Sequence, residues 1–131
     1  MLERLRALEE NIAELRKFKK RFSLKEIQND KMIQWSLRYG LLESIQILID
    51  VSCHLVSKYN LGNPTAYSEC VEFLKTYGYI DDDLNTRLLG MIGLRNLLIH
   101  EYMAIDVNKL YDLLNHVDDF IEFSRKISTI V

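Results

Sequence analysis

Residues 95–102, RNLLIHEY, carry the side chains of this sequence that are best suited to chemistry. Asn96 follows Arg95 directly, four residues separate Arg95 from His100, and one residue separates His100 from Tyr102. A histidine exchanges protons near neutral pH, and an arginine presents planar, permanently charged donors that match a phosphate group. Glycine-rich phosphate loops and serine-nucleophile motifs are absent from the sequence, so this octapeptide is the candidate functional site.

Helical periodicity places Arg95 within an apolar stripe. At about 100° per residue, the residues on its side of the helix are Leu84, Leu88, Met91, Leu98 and Tyr102. Burying a guanidinium is costly unless it is paired. We therefore expect Arg95 to meet a carboxylate, to line a groove, or to bind an anion such as phosphate. A purely structural bundle would account for the periodicity but not for this arginine.

The opposite side of the same helix carries small and polar residues. Leu89, Gly93, Asn96 and His100 recur there, and glycine permits the close approach of another backbone. A helix that is apolar or glycine-containing nearly all round needs cover from its own bundle and from a second chain. The pattern predicts a symmetric homodimer with these segments close to the two-fold axis.

Arg95 and His100 do not stack on one face of an ideal helix, because five residues correspond to a rotation of about 140°. Three arrangements would still bring them to one reaction. The long arginine stem could reach round the helix, the helix could end near His100, or the site could combine residues from two chains. The sequence leaves all three open.

The elements that position this octapeptide are predicted to be helices. One proline and five glycines in 131 residues leave few helix breakers, and apolar residues recur at helical spacing. We expect one all-α domain over residues 1–131, an antiparallel bundle of four to five helices. The predicted helices cover residues 2–21, about 23 or 29 to 59, 67–77, 84–102 and from 106 onward, with Gly40 as a candidate kink and Gly78 as a C-terminal cap.

Composition limits the class of protein and the cellular compartment that this sequence is expected to have. A formal net charge of −2 with 27% charged residues argues against a disordered tail and a globally basic surface, so any nucleic-acid contact must be a local patch. Cys53 and Cys70 lack CxxC spacing and are too few to brace a secreted scaffold, which predicts reduced thiols. We found no apolar run approaching the ~20 residues that span a bilayer, and we expect a cytoplasmic protein without membrane contact.

Two further groups of charged residues have open roles. The segment from Arg16 to Arg21 has five positive charges in six residues, which suits either a solvated helix end or a patch that follows phosphates. Asp50 and His54 lie four residues apart and are expected to hydrogen-bond within their helix, with support of a nearby site as the alternative. Histidines and cysteines show no zinc spacing, so neither a metal nor another cofactor is predicted.

The octapeptide resembles the signature of HEPN domains, in which an arginine, a following polar residue and a histidine form an Rx4–6H motif. The additional Tyr102 and the flanks at 67–74, 78–80 and 104–111 look like the HepT branch of that family. This resemblance covers nearly the whole chain. The arginine, polar, histidine and tyrosine positions of the motif all match.

The HepT resemblance implies the toxin of a type VII toxin–antitoxin system, a dimeric and metal-independent endoribonuclease. It makes His100 the general acid–base and Arg95 the ligand of the scissile phosphate, while Asn96 positions the histidine or the RNA. A ribose 2′-hydroxyl acting as nucleophile would give a 2′,3′-cyclic phosphate and would leave DNA uncut.

The same resemblance makes Tyr102 the target of AMPylation by a cognate minimal nucleotidyltransferase antitoxin, and higher hetero-oligomers with that antitoxin are compatible with it. Adenylate on Tyr102 would add bulk and negative charge beside Arg95, where RNA phosphate would bind. A packed aromatic side chain is the structural alternative for Tyr102. The functional alternative for the protein is a non-catalytic helical module that binds or stimulates a nucleotidyltransferase.

Overall fold

The computed structural model describes residues 1–100 and 106–131, which form α-helices and contain no β-strand. The elements are α1 (Leu2–Arg21), α2 (Leu24–Asn29), α3 (Lys31–Lys58), α4 (Tyr67–Thr76), α5 (Asp82–His100), α6 (Val107–Leu113), a 3-10 turn (Leu114–His116) and α7 (Asp118–Ser128). The all-α prediction is confirmed. The predicted number of four to five helices is too low, because the second and fifth predicted helices are each divided.

Two capping side chains divide the second predicted helix. Ser23 Oγ accepts the Glu26 backbone N–H at 3.2 Å, and the Glu26 carboxylate accepts the Ser23 N–H at 3.1 Å, a capping box that starts α2. Asp30 then accepts the Met32 backbone N–H at 2.9 Å and starts α3. Asp30 rather than Asn29 is therefore the cap of the long helix.

The glycine predicted to end the helix at 67–77 does so. Gly78 has a φ of 81°, a left-handed conformation that glycine adopts without penalty. Its N–H donates to the Lys75 carbonyl at 3.0 Å, and the Tyr79 N–H donates to the Leu74 carbonyl at 2.9 Å. These two bonds form a Schellman motif, which satisfies carbonyls at the end of α4.

Helix α3 is the centre of the bundle, since α1, α4 and α5 all pack against it. Gly40 lies within α3 without ending it, and a Cβ at that position would lie 3.0 Å from Leu15 Cδ2. The glycine therefore lets α1 approach closely. The buried seam of α1 consists of Leu5, Leu8, Ile12 and Leu15.

Helix α3 is also long and apolar enough to cross a membrane, with a mean hydropathy of 1.3 in an 18-residue window. Half of that window is buried inside the fold, as in the core helix of a soluble protein. The expectation that no apolar run reaches spanning length is thus wrong for α3, and the burial of this helix explains its composition.

The N-terminal half of α5 is fixed by charged groups. Asp81 accepts the Leu84 backbone N–H at 2.8 Å, and this hydrogen bond lowers the pKa of the Asp81 carboxyl. Arg87 binds Glu122 at 2.9 Å and also binds Asp119, both on α7, and these two acceptors raise the pKa of the Arg87 guanidinium. Helix α5 is therefore capped and tied to α7 before it reaches the octapeptide.

Candidate active site

The two sides of α5 differ as the sequence predicts. Leu84, Leu88, Met91 and Leu98 are buried, whereas Gly93, Asn96 and His100 are exposed and Leu89 is half-buried. Arg95 is half-buried between them. Tyr102, the predicted AMPylation site, lies outside the residues that the structure describes.

Arg95 contacts two side chains from other helices. Its Nε donates a hydrogen bond of 2.8 Å to the side-chain oxygen of Gln46 on α3. Its guanidinium lies 5.0 Å from the ring centroid of Tyr67, the first residue of α4. Among residues 1–100 and 106–131, no carboxylate forms an ion pair with Arg95. Within the described part of the chain, Arg95 therefore lines a groove, which is one of its predicted environments, and does not form the predicted alternative of a salt bridge.

The groove is a cleft of about 690 Å³ between α3, the 59–66 connection, α4 and α5. Both Arg95 and Asn96 line it, so the two neighbouring motif residues contribute to one concave surface. The remaining described lining residues are Cys53, Pro64, Thr65, Ala66, Tyr67, Ser68, Cys70, Leu89, Ile92 and Gly93.

His100 is not among the described lining residues of this cleft. It is the last residue of α5 and it is exposed. Two residues earlier in the chain, the Leu98 carbonyl accepts a hydrogen bond of 3.1 Å from Arg38 of α3, which satisfies one backbone acceptor at this helix end. The described structure thus brings Arg95 and Asn96 together and leaves His100 at the exposed end of the same helix.

The residues behind Arg95 differ from the predicted arrangement. Asp50 accepts a hydrogen bond of 2.9 Å from the side-chain amide of Gln46, not from His54. Glu43, which shares their helix, instead accepts the Asn11 amide at 3.0 Å, and this bond lowers the pKa of Glu43. The predicted Asp50–His54 pair is therefore wrong, because Gln46 lies one turn before Asp50 and presents a donor to it.

Cys53 and Cys70 are joined in a disulfide, which corrects the prediction of reduced thiols. Their Cα atoms lie 5.0 Å apart, within the usual range for a bridged pair. Spacing along the sequence does not reveal this proximity, because it arises from the packing of α4 against α3. The disulfide lies in the wall of the cleft and connects the helix that carries Gln46 to the helix that carries Tyr67.

The basic segment at the end of α1 is largely engaged within the chain. Arg16 pairs with Asp118, Lys17 with Glu14 at 3.2 Å, and Lys19 with the Asn115 side chain. These contacts favour a solvated helix end over a phosphate-binding patch. In the described residues no three His, Cys, Asp or Glu side chains cluster as a metal site would require.

Comparison with known proteins decides the family. The family model described as "Ribonuclease HepT-like" matches residues 8–127. The chain belongs to this family. The HepT-like match spans every described element that forms the cleft, from α3 to α5.

Two HepT nucleases are similar in sequence. The mRNA nuclease HepT of Shewanella oneidensis is 25% identical over 99 residues, which cover 75% of this chain and 74% of that protein. The tRNA nuclease HepT of Aphanizomenon flos-aquae is 33% identical over 66 residues, which cover 50% of this chain and 45% of that protein.

Solved structures show that the HepT-like chain has the fold of HEPN toxins. The tri-AMPylated HEPN toxin of Shewanella oneidensis, in complex with MNT antitoxin, superposes with a TM-score of 0.89 at 22% identity and covers 98% of this chain and 96% of that one. The cytosolic protein YutE of Bacillus subtilis, of unknown function, superposes with a TM-score of 0.84 at 16% identity. The superposition covers 98% of this chain and 85% of that one. The HEPN-like fold predicted from the motif is confirmed.

Proposed function

We propose that this protein is the toxin of a type VII toxin–antitoxin system and cleaves RNA without a metal ion. The observation that carries the proposal is the position of Arg95. This residue lines a cleft beside Asn96, and its Nε–H donates to the neutral side-chain amide of Gln46. With no acidic partner among the described residues, its charge is available to an anion, and a guanidinium matches a phosphate. The similarity to mRNA and tRNA nucleases supports RNA as the source of that phosphate.

The proposed reaction is a transfer within the RNA chain. The ribose 2′-oxygen attacks the adjacent phosphorus, forming the O2′–P bond, while the P–O5′ bond breaks. The proton of the 2′-hydroxyl passes to a general base, and the leaving 5′-oxygen takes up a proton, so the products are a 2′,3′-cyclic phosphate and a 5′-hydroxyl. His100 exchanges these protons and Arg95 stabilises the charge on the phosphoryl oxygens. Asn96 positions the histidine or the RNA from the wall of the cleft.

The exposed face of α5 supports a homodimer as the working form. Gly90 and Gly93 are exposed, and a Cβ added at either would meet no atom of residues 1–100 or 106–131 within 4 Å. Glycine inside a helix costs roughly 0.5–1 kcal/mol relative to alanine. Gly93 lines the cleft, whereas packing among the described residues gives no reason for Gly90; the close approach of a second α5 would account for both. Leu97, 37% exposed on the same face, adds an apolar contact for such a partner.

The function is tested with purified, unmodified protein, an RNA oligonucleotide and its all-deoxy counterpart in excess chelator. We expect the RNA to be cut to 2′,3′-cyclic phosphate ends and the deoxy strand to remain intact, because it lacks the nucleophile. Mass spectrometry of the products identifies the ends. Cleavage of both strands, or cleavage that stops when chelator is added, would contradict the mechanism.

AMPylation is proposed as the control of this activity. The Tyr102 hydroxyl would attack the α-phosphate of ATP, forming the tyrosyl-phosphate bond and releasing pyrophosphate, with the cognate nucleotidyltransferase as catalyst. The HEPN toxin that shares this fold was solved AMPylated and bound to an MNT antitoxin. The seven-residue spacing predicts Tyr102 on the same side of the helix as Arg95, where the added negative charge would compete with RNA phosphate.

Co-expression with the antitoxin, followed by intact-mass spectrometry, checks the modification. We expect the wild-type chain to gain one or more adenylate masses and to lose RNA cleavage. The Tyr102→Phe variant is expected to stay unmodified and active. Tyr111 is a half-buried tyrosine nine residues later in the chain, and Tyr111→Phe serves as a matched control that is still modified. Adenylate on Tyr102→Phe would contradict the assignment. Modification without any cleavage by the unmodified chain would favour a non-catalytic module.

A further inference from the structure

Three polar side chains form a continuous hydrogen-bonded chain that ends at Arg95. Asp50 accepts from the Gln46 amide nitrogen at 2.9 Å, and the Gln46 oxygen accepts from Arg95 Nε at 2.8 Å. Asp50 and Gln46 lie one turn apart on α3, where both are half-buried. Arg95 is on α5, so the chain also joins the two helices.

The donor and acceptor types allow only one orientation of the Gln46 amide. An ionised carboxylate such as Asp50 only accepts hydrogen bonds, and the Arg95 guanidinium only donates them. The amide NH2 must therefore face Asp50 and the amide oxygen must face Arg95. The opposite orientation would place the amide oxygen against the carboxylate and the NH2 group against the guanidinium. Asp50 and Arg95 would then each face a group with which they cannot form a hydrogen bond.

The contact with Gln46 uses the Nε–H of Arg95 and none of its four terminal N–H groups. An end-on bidentate contact with a phosphate uses two of those donors, one from each terminal nitrogen. The Tyr67 ring lies against the guanidinium and lines the cleft, and Arg95 lines the cleft as well. A side chain held at Nε on one side and against a ring on the other has few rotamers left, so its terminal nitrogens are pre-organised.

We propose that Gln46 is a positioning residue for the nuclease reaction. Asp50 fixes the orientation of its amide, and the amide oxygen holds Arg95 so that its terminal nitrogens meet the scissile phosphate. This inference rests on the proposed function, in which Arg95 binds that phosphate. It assigns a role in catalysis to α3, which carries none of the motif residues.

The test is the Gln46→Met variant, because methionine matches the length and unbranched shape of glutamine but cannot accept from Nε. Single-turnover cleavage of an RNA oligonucleotide is measured across enzyme concentrations, together with the thermal midpoint of unfolding. We expect the rate at saturation to fall about 10- to 100-fold, since a small misplacement of a catalytic group has effects of that size. The concentration at half-saturation should change by less than about threefold, because the positive charge remains in the cleft.

Two more variants make the result specific. Gln34→Met is the matched control, since Gln34 is on the same helix and donates to the Ile27 carbonyl at 2.9 Å, away from the cleft. It should lower the thermal midpoint without slowing cleavage. Asp50→Asn keeps the size of Asp50 but tolerates either amide orientation, so we expect a smaller slowing than for Gln46→Met, again at saturation.

The outcomes separate this inference from the proposed function. If Gln46→Met and Asp50→Asn both cut RNA within about twofold of wild type while Arg95→Ala does not cut, Gln46 has no positioning role and the proposed site stands. If Gln46→Met slows cleavage no more than Gln34→Met does, its effect is general loss of packing and the inference is wrong. If Arg95→Ala cuts as fast as wild type, the proposed site is wrong and the role of Gln46 falls with it.

Discussion

Replacing Arg95 with alanine is expected to lower kcat/KM for RNA cleavage by about 10³-fold, the upper range for removing one preorganised donor to a developing charge. The reason is its setting. The guanidinium lies in a cleft, its Nε is bound to a neutral amide, and among the described residues no carboxylate neutralises it. Its charge and terminal donors can therefore be directed at the phosphate in the transition state. Initial rates on a fluorogenic RNA oligonucleotide measure the loss.

A lysine at position 95 separates charge from geometry. Arg95→Lys keeps a positive charge in the cleft but lacks both the fork and the Nε–H that Gln46 accepts. We expect it to bind RNA nearly as well as wild type and to cut it about 10²-fold more slowly. Arg6→Ala, an exposed arginine of α1 outside the cleft lining, is the matched control and should cut normally. Unchanged kcat/KM in Arg95→Ala would remove Arg95 from the site.

Local chemistry explains which parts of the fold the sequence predicts well. Gly78 ends α4 because the Schellman motif depends only on the backbone of residues 74–79, which are neighbours in the sequence. Asp106 caps α6 by accepting the Asn108 N–H at 2.9 Å. This cap is predictable because an aspartate directly before the first apolar residue of a helical repeat is a preferred N-cap. Where two candidate caps are adjacent, as Asn29 and Asp30 are, residue preference alone does not choose between them, and α3 begins one residue later than Asn29 would allow.

The partners of Arg95 were beyond sequence reasoning because they are distant along the chain. Gln46 is 49 residues away, and its role depends on how α3 packs against α5. A signal was nevertheless present. Gln46 and Asp50 are polar residues one turn apart in the most apolar helix, which indicates a shared polar partner on their face. The identity of that partner, and of Tyr67 on α4, follows only from the tertiary structure.

The cysteine pair is a second feature that depends on tertiary structure and that the sequence alone does not predict. Composition and spacing favour reduced thiols, yet packing of α4 on α3 brings Cys53 and Cys70 into a disulfide. The bridge crosses the cleft wall between the helices that supply Gln46 and Tyr67. Both partners of Arg95 are therefore attached to the same covalently braced unit, and α5 brings the arginine to it.

Replacing His100 with alanine is expected to lower the cleavage rate by about 10²- to 10⁴-fold, the range for loss of a general acid–base. His116→Ala is the matched control, since His116 is an exposed histidine paired only loosely with Asp112 at 3.8 Å, and it should cut normally. Cleavage by His100→Ala at the wild-type rate would contradict the assignment.

A mixture of the two inactive variants decides whether one site draws on two chains. Helix α5 continues to His100, so the side chains of Arg95 and His100 project about 140° apart around the helix axis in one chain. His100 is exposed on the face that is proposed to contact a second copy. If Arg95 of one chain works with His100 of its partner, a mixed dimer of Arg95→Ala and His100→Ala has one complete site. Co-expressed variants should then recover about a quarter of wild-type activity, since half of randomly paired dimers are mixed and one of their two sites is complete. If both residues act within one chain, no mixed dimer contains a complete site and the mixture stays as inactive as either variant alone.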